Sequence, residues 1–293
     1  MSAMWQGGKA LNAKRAMTLR AQWLGRHLRE LREISGLTLK EVGGFIQRDV
    51  GTVSRIEAGI YPARTPDVLA MLDLYGVTEA RRRDGLLKLA GEVWQSGWWD
   101  GYTEDLSKVM VDYAWVESRA RRISSFDALV IPGLLQTRAY MEAVQTAIVD
   151  SSPNQITSGI RFRLTRQQIL TAPEPPFIEA ILDESLLRRS PGGHTVLQAQ
   201  LEHLLVLAEQ SHIEIRVLPF SSGAHASPEG AFRIFEMPEP YPEVAYMDTP
   251  AGGIYVESAE VGRFMLKLEH IREATLEPLE ARKFIREIAD NLP

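Results

Sequence analysis

Cysteine is absent from the sequence, which excludes disulfides and thiolate metal sites and fits a reducing compartment. Long apolar runs are missing too: none approaches the length that crosses a bilayer, and the first residues lack the apolar core of a signal peptide. A cytoplasmic protein with no membrane partner is the expectation. Histidine is scarce, six in all, and scattered, with no His-Glu-x-x-His pattern. His203 and His212 lie nine apart, which is no metal spacing on a helix turn, so no metal site is expected. Pro191-Gly192-Gly193-His194 lacks the lysine and the length of a phosphate-binding loop and reads as a turn before a helix. No catalytic residue and no cofactor are therefore assigned, and the chain is not read as an enzyme.

At 293 residues the chain has room for two domains, each with its own core. The formal charge of −5 hides an asymmetry. Residues 1–90 hold 15 Lys and Arg against 9 Asp and Glu, and the remainder holds 18 against 29. A basic first third beside an acidic remainder suits a protein whose first part alone meets phosphates.

Residues 1–20 carry Lys9, Lys14, Arg15 and Arg20 with little hydrophobic pattern and read as a flexible tail, the alternative being a basic arm along DNA. From Ala21, Leu24, Leu28, Leu31 and Ile34 repeat at helical spacing, with Arg26, Arg29 and Arg32 on another face. Ser35-Gly36 ends that helix. Thr38 and Glu41 then have the spacing of a capping box, and Leu37 and Val42 that of a hydrophobic staple. After a turn at Gln47-Arg48, Asp49 is a good N-cap and Gly59 a good stop for a third helix whose Val53 and Ile56 face inward. Thr65-Pro66 and Thr78 open two more helices, so five helices are expected in residues 21–93.

Two short helices joined by a tight turn make a helix-turn-helix. Leu24-Gly25-Arg26 through Gly36-Leu37-Thr38, then Val53-Ser54-Arg55-Ile56-Glu57-Ala58-Gly59, resembles the Xre/Cro-type helix-turn-helix of bacterial and phage repressors. That resemblance implies base-facing positions at Val50, Gly51 and Arg55, and a buried ion pair between Glu57 and Arg29 or Arg32. Val50 and Gly51 have no hydrogen-bonding side chain, so Arg55 is the candidate for bonding a guanine. Thr38, Arg48, Thr52, Ser54 and Arg64 are assigned to the DNA backbone. Leu39 departs from the pattern, standing where such repressors often place a glutamine.

Residues 94–293 read as a regulatory and dimerisation domain, helical over 94–171 and α+β over 172–293. Trp98 and Trp99, with Trp94 and Tyr102, form either a structural cluster seating the small domain or an aromatic cage. A helix is expected from Glu104 to Ser124, others after Ile131-Pro132-Gly133 and from Gln155 to Leu170. Arg161, Arg163 and Arg166 on the last of these read as a solvated face. Beyond Ala172-Pro173-Glu174-Pro175-Pro176 the period changes to two. Strands are expected at Phe177–Leu182, Ile213–Val217, Ala231–Met237, Val244–Met247 and Ile254–Val256, with helices at Thr195–Gln210, Val261–Ala274 and Leu279–Asn291. Short turns between strands point to a small antiparallel sheet, making the fold class mainly α with an α+β C-terminal part.

The words Gly97-Trp98-Trp99, Ile131-Pro132-Gly133-Leu134-Leu135-Gln136-Thr137, Leu182-Asp183-Glu184 and Val217-Leu218-Pro219-Phe220 before Gly223-Ala224-His225 resemble the C-terminal domain of WhiJ-like regulators of actinomycetes. The resemblance implies a transcriptional regulator, antitoxin-like, with a small partner protein encoded nearby. A homodimer on double-stranded DNA is expected, its second domain sensing a small-molecule effector or binding that partner. Trp98, Trp99, Arg188, Arg189 and His225 are the candidate ligand or partner residues. His225 lies in a small, polar loop, Ser221–Pro228, at a strand end. The alternatives are an antitoxin-like protein that mainly sequesters its partner, or an enzyme targeted to DNA. No serine–lysine pair of the kind self-cleaving repressors use stands out.

Overall fold

The computed structural model describes residues 18–95, 97–102, 108–148, 152–250, 252–257 and 260–293. The chain divides into two compact units, Met1–Asp100 with Glu239–Tyr241, and the rest.

The first unit holds five helices: α1 (Leu19–Ile34), α2 (Leu39–Phe45), α3 (Val50–Glu57), α4 (Thr65–Leu74) and α5 (Ala80–Trp94). Helix α1 begins two residues before the expected start, capped by the Thr18 hydroxyl, which accepts from Ala21 N at 3.3 Å. Residues 18–20 are therefore not tail; Leu19 and Arg20 are buried, and Arg20 Nη1 donates to Glu92 O at 2.8 Å. The rest of the expected tail, residues 1–17, lies outside the described residues. The caps of α4 and α5 fall at Arg64 and Glu79, one residue before and one after the expected Thr65 and Thr78, and neither makes a side-chain cap bond. The apolar stripes meet in one core built on Leu24, Leu28, Val42, Val53, Ile56, Val68, Leu72 and Leu89.

The second unit is organised on a six-stranded sheet of order β3-β2-β1-β4-β5-β6. Its strands are β1 (Arg122–Asp127), β2 (Phe177–Asp183), β3 (Ile213–Leu218), β4 (Phe232–Glu236), β5 (Val244–Thr249) and β6 (Gly252–Glu257). The expected antiparallel pattern holds for β4, β5 and β6, and β1, absent from the expected strands, pairs antiparallel with β4; β1, β2 and β3 run parallel. The reason is the length of the connections. Helices α7 (Arg138–Thr146) and α8 (Pro153–Gln167) lie between β1 and β2, and α9 (Glu184–Arg188) and α10 (His194–Leu207) between β2 and β3. Such crossovers return the chain in the same direction, which a hairpin cannot do.

Strand β1 also corrects the helical reading of residues 94–171. Helix α6 spans Lys108–Arg119, residues 103–107 lie outside the described residues, and Arg122 onward is extended. Strand β1 sits in the middle of the sheet with Ile123 through Asp127 all buried. A strand covered on both faces has no alternation to display.

One face of the sheet packs Phe126, Ile181, Phe232, Ile234 and Ala245 against Val261, Leu268 and Ile271 of α11 (Val261–Glu273). The last helix, α12, spans Pro278–Asp290. The other face is polar at its centre. Ser125, Arg233, Tyr246 and Tyr255 are paired in one row across β1, β4, β5 and β6. Tyr113 of α6 stands edge-on to Phe235 at 5.4 Å and to Tyr246 at 4.7 Å.

The solvated-face reading of α8 fails for two of its three arginines. Arg161 is exposed, but Arg166 is buried and makes a bidentate pair with Glu117, at 2.8 and 2.6 Å, with its guanidinium 4.7 Å above the Tyr113 ring. Arg163 is half-buried on the same helix face, three residues away.

On the α11 face, buried Glu179 accepts from Arg272 Nε at 2.6 Å, Arg122 Nη2 at 2.8 Å and Ser124 Oγ at 3.0 Å. Burial alone would raise its pKa; the hydrogen bonds from Arg272 and Arg122 outweigh that and bring it from 4.5 to about 2. A folded value below the unfolded one means this stabilisation is complete above about pH 4.5 and is lost as pH falls towards 2. Glu179→Gln is expected to lower stability at neutral pH and flatten the stability profile between those limits, as read by urea unfolding at stepped pH. A variant that keeps the wild-type slope there assigns the acid sensitivity to other groups.

Candidate nucleic-acid interface

The placement of α3 follows from close backbone packing and one ion pair. A Cβ at Gly25 of α1 would lie 2.7 Å from Glu57 O, so only glycine lets α1 approach α3 this closely. Gly59 is constrained twice: its φ is +67°, and a Cβ there would meet the Gln22 backbone at 2.7 Å. Arg32 then clamps the end of α3, with Nε 2.7 Å and Nη2 2.9 Å from the two oxygens of Glu57. Of the two partners expected for Glu57, Arg32 is the one used; Arg29 pairs with Glu33 at 2.9 Å.

The turn between α2 and α3 is equally specified. Arg48 N donates to Gly43 O at 2.8 Å, and a Cβ on Gly43 would come within 2.7 Å of Arg48 O. Gln47 takes a left-handed φ of +55°. Asp49 caps α3, Oδ1 accepting from Thr52 N at 2.9 Å and Oδ2 from the Thr52 hydroxyl at 2.6 Å. Those two bonds, the hydroxyl first, hold the Asp49 carboxyl below the usual carboxylate range.

With Val53 and Ile56 buried, α3 turns a row of small and polar groups to solvent. Val50 is 44% exposed, Ser54 is exposed, and Gly51 and Thr52 are intermediate. The Arg55 side chain is 51% exposed; Nη2 donates to Thr52 Oγ1 at 3.0 Å and lies 3.9 Å from Asp49 Oδ1. Its guanidinium passes over Gly51, where a Cβ would lie 3.3 Å from Nη1. Three of the residues assigned to phosphate contact are already engaged, Thr52 among them through Asp49 and Arg55. The Thr38 hydroxyl belongs to the capping box of α2, and Arg48 reaches both oxygens of Asp67 at 3.3 and 3.2 Å. Arg64 is exposed in the cap position of α4. Sequence reasoning missed Lys40, exposed in the first turn of α2, and Tyr61, exposed just beyond α3 with its amide on Arg55 O at 3.1 Å. The run Gly59-Ile60-Tyr61 after a helix stop was the available signal.

Residues 23–84 match a family model described as a helix-turn-helix domain, and residues 110–287 match one described as a domain of unknown function, DUF5753. The second covers more than half of the sequence. The chain belongs to the DUF5753 family. No curated protein and no solved structure matches it. The helix-turn-helix domain, with α3 exposed as described, points to a DNA-binding regulator. Among the described residues no helix is long and apolar enough to cross a membrane, and no group of His, Asp and Glu could hold a metal ion.

The five candidate ligand or partner residues divide between the units. Trp98 and Trp99 count with the first, in a 3₁₀ turn (Trp98–Tyr102), their rings edge-to-face at 5.7 Å. Trp99 is buried and Trp98 exposed. In the DUF5753 part, Glu184 links Arg188 to the loop after β3. Arg188 Nε lies 2.7 Å from Oε1, and Phe220 N donates to Oε2 at 2.7 Å. Arg188 also borders a cleft of about 290 Å³ with His194, Phe284 and Glu287. Arg189 is exposed. His225 serves its own loop, Nδ1 accepting from Ser227 N at 3.2 Å with its ring 4.9 Å from that of Phe126.

If the Arg32–Glu57 pair sets the pose of α3, removing one partner strands a charge. Glu57→Ala is expected to cost about 3 kcal/mol, the low end for a broken buried pair. Hydrogen exchange at α1 and α3 amides should quicken by about a hundredfold. The double change Arg32→Met with Glu57→Leu should recover much of that loss. Unchanged protection in Glu57→Ala would show that the pair does not hold the helix.

Proposed function

We propose that the protein is a cytoplasmic, homodimeric, sequence-specific transcriptional regulator of the Xre type. Its first unit reads DNA through α3, and its DUF5753 part responds to a small-molecule effector. The observation that carries this reading is the exposed face of α3. One arginine at the base-reading position is held among groups too small to block a groove, above a buried clamp. Arg55 is assigned the O6 and N7 of a guanine, and Thr52, Ser54, Arg48 and Arg64 the flanking phosphates. For Arg48 this means exchanging Asp67 for a phosphate. Two copies would place their α3 helices in half-sites about one helical turn apart. The pairing of a helix-turn-helix domain with DUF5753 supports the finer assignment to WhiJ-like regulators of actinomycetes.

Footprinting on the DNA upstream of its own gene supplies the operator. Arg55→Ala is then expected to weaken operator binding by about 1–3 kcal/mol and to remove the preference at one base pair. Arg64→Ala should weaken all sequences alike and reduce the salt slope by about 1. Arg55→Ala binding with unchanged affinity and preference would refute the register proposed for α3.

A further inference from the structure

On the polar face of the sheet in the second unit, two arginines have carboxylate partners and a third does not. Arg166 is matched by Glu117, and Arg233 by Asp127 at 2.8 Å. Arg163, on the same face of α8 as Arg166, has no carboxylate within ion-pair distance among the described residues. The buried side-chain amide of Gln145 lies 3.0 Å from both Arg163 Nη atoms, and the orientation that turns its oxygen inward lets that oxygen accept from both. Asp248, on β5, is 70% exposed and otherwise occupied. It takes the Tyr246 hydroxyl at 2.5 Å and lies 3.8 Å from Arg233. Of Arg163, Arg166 and Arg233, Arg163 is thus the one without a carboxylate partner. Burial, and then the nearness of Arg166, pull the Arg163 pKa down to about 10.

A cation withdrawn from water without a counter-charge is costly, and a neutral amide offsets only part of that cost. A Cβ at Gly159 would lie 3.6 Å from Arg163 Nη1, and one at Gly133 would lie 3.7 Å from Arg166 Nη1, so bare backbone borders both guanidinium groups. On one side of Arg233 the sheet positions in register are Ser125 and then Ala180, both small; on the other they are Tyr246 and Tyr255. Arg163 itself is only half-buried, which leaves solute a way to it.

We infer that Arg163 is the anchor of a small-molecule site on this face, taking a ligand through one carboxylate or phosphate group. The planar fork that now holds the Gln145 oxygen accepts two oxygens of that group instead. Arg166 and Arg233 add positive potential, and Gln145 is the neutral placeholder of the empty state. The site deepens the effector reading above and depends on it only for its consequence for DNA binding.

The full chain is titrated calorimetrically, without DNA, with sodium succinate and separately with inorganic phosphate. Ionic strength is held constant with chloride, and the two arms separate a carboxylate from a phosphate site. Saturable binding, one per chain, is expected in at least one arm. Gln145→Glu places a carboxylate on Arg163 from within; it should raise the melting temperature and weaken oxyanion binding at least tenfold. Arg163→Lys, which keeps the charge and loses the fork, should also bind at least tenfold more weakly, while the exposed Arg138→Gln binds like wild type. No saturation in either arm, or wild-type binding by Gln145→Glu, overturns the proposal. Oxyanion binding that leaves operator affinity unchanged would instead overturn the effector reading and leave the site standing.

Discussion

A carboxylate taken out of water needs a cation or hydrogen-bond donors beside it, and this chain uses arginine for that purpose in both units. Glu57 is held by Arg32 in the first; Glu117 by Arg166, Asp127 by Arg233, and Glu179 by Arg122 and Arg272 in the second. The fork geometry matters as much as the charge. A bidentate pair fixes two backbone elements in distance and in rotation, which a lysine on a flexible stem does not. Each pair joins segments far apart in sequence, so the arginines set how helices lie on helices and on the sheet. Arg163 is the departure from that pattern, and the proposed ligand site grows from it.

In the first unit the same constraint serves presentation. Gly25 and Gly59 allow α1 and α3 to meet at backbone distance, and the Arg32–Glu57 clamp then stops α3 from rotating about its own axis. Rotation is what would change the residues turned to a groove. The exposed set from Val50 to Arg55 is thus decided by contacts on the opposite side of the helix.

Much of the helix-turn-helix was legible because its signals are local. Thr38 with Glu41, and Asp49 with Thr52, declare helix starts within four residues, and the spacing of Leu24, Leu28, Val53 and Ile56 declares the buried faces. The second unit was less legible for a physical reason. Strand β1 is covered on both faces, so its residues show no period, and the parallel register depends on crossovers whose direction no short window records. The inward turn of Arg166 was hidden in the same way. Three cations on one helix look solvated until Glu117, 49 positions away, is brought against one of them. Of the candidate site residues, the exposure of Arg55 could be anticipated from helix phase and that of Arg64 from its place before a helix start, whereas the engagement of Arg48 by Asp67 and of His225 within its own loop could not.

The bond from Arg55 to Thr52, with Asp49 close behind, has a bearing on selectivity. For any acceptor approaching that guanidinium, the competing state is not bulk water but an intramolecular arrangement already in place. A single phosphate oxygen offers little beyond what Thr52 supplies, and Asp49 partly cancels the attraction of the polyanion at that point. A base edge with two well-spaced acceptors offers more than either. Such an arrangement discounts random duplex relative to a matched site, so a protein searching a chromosome would linger less where it should not.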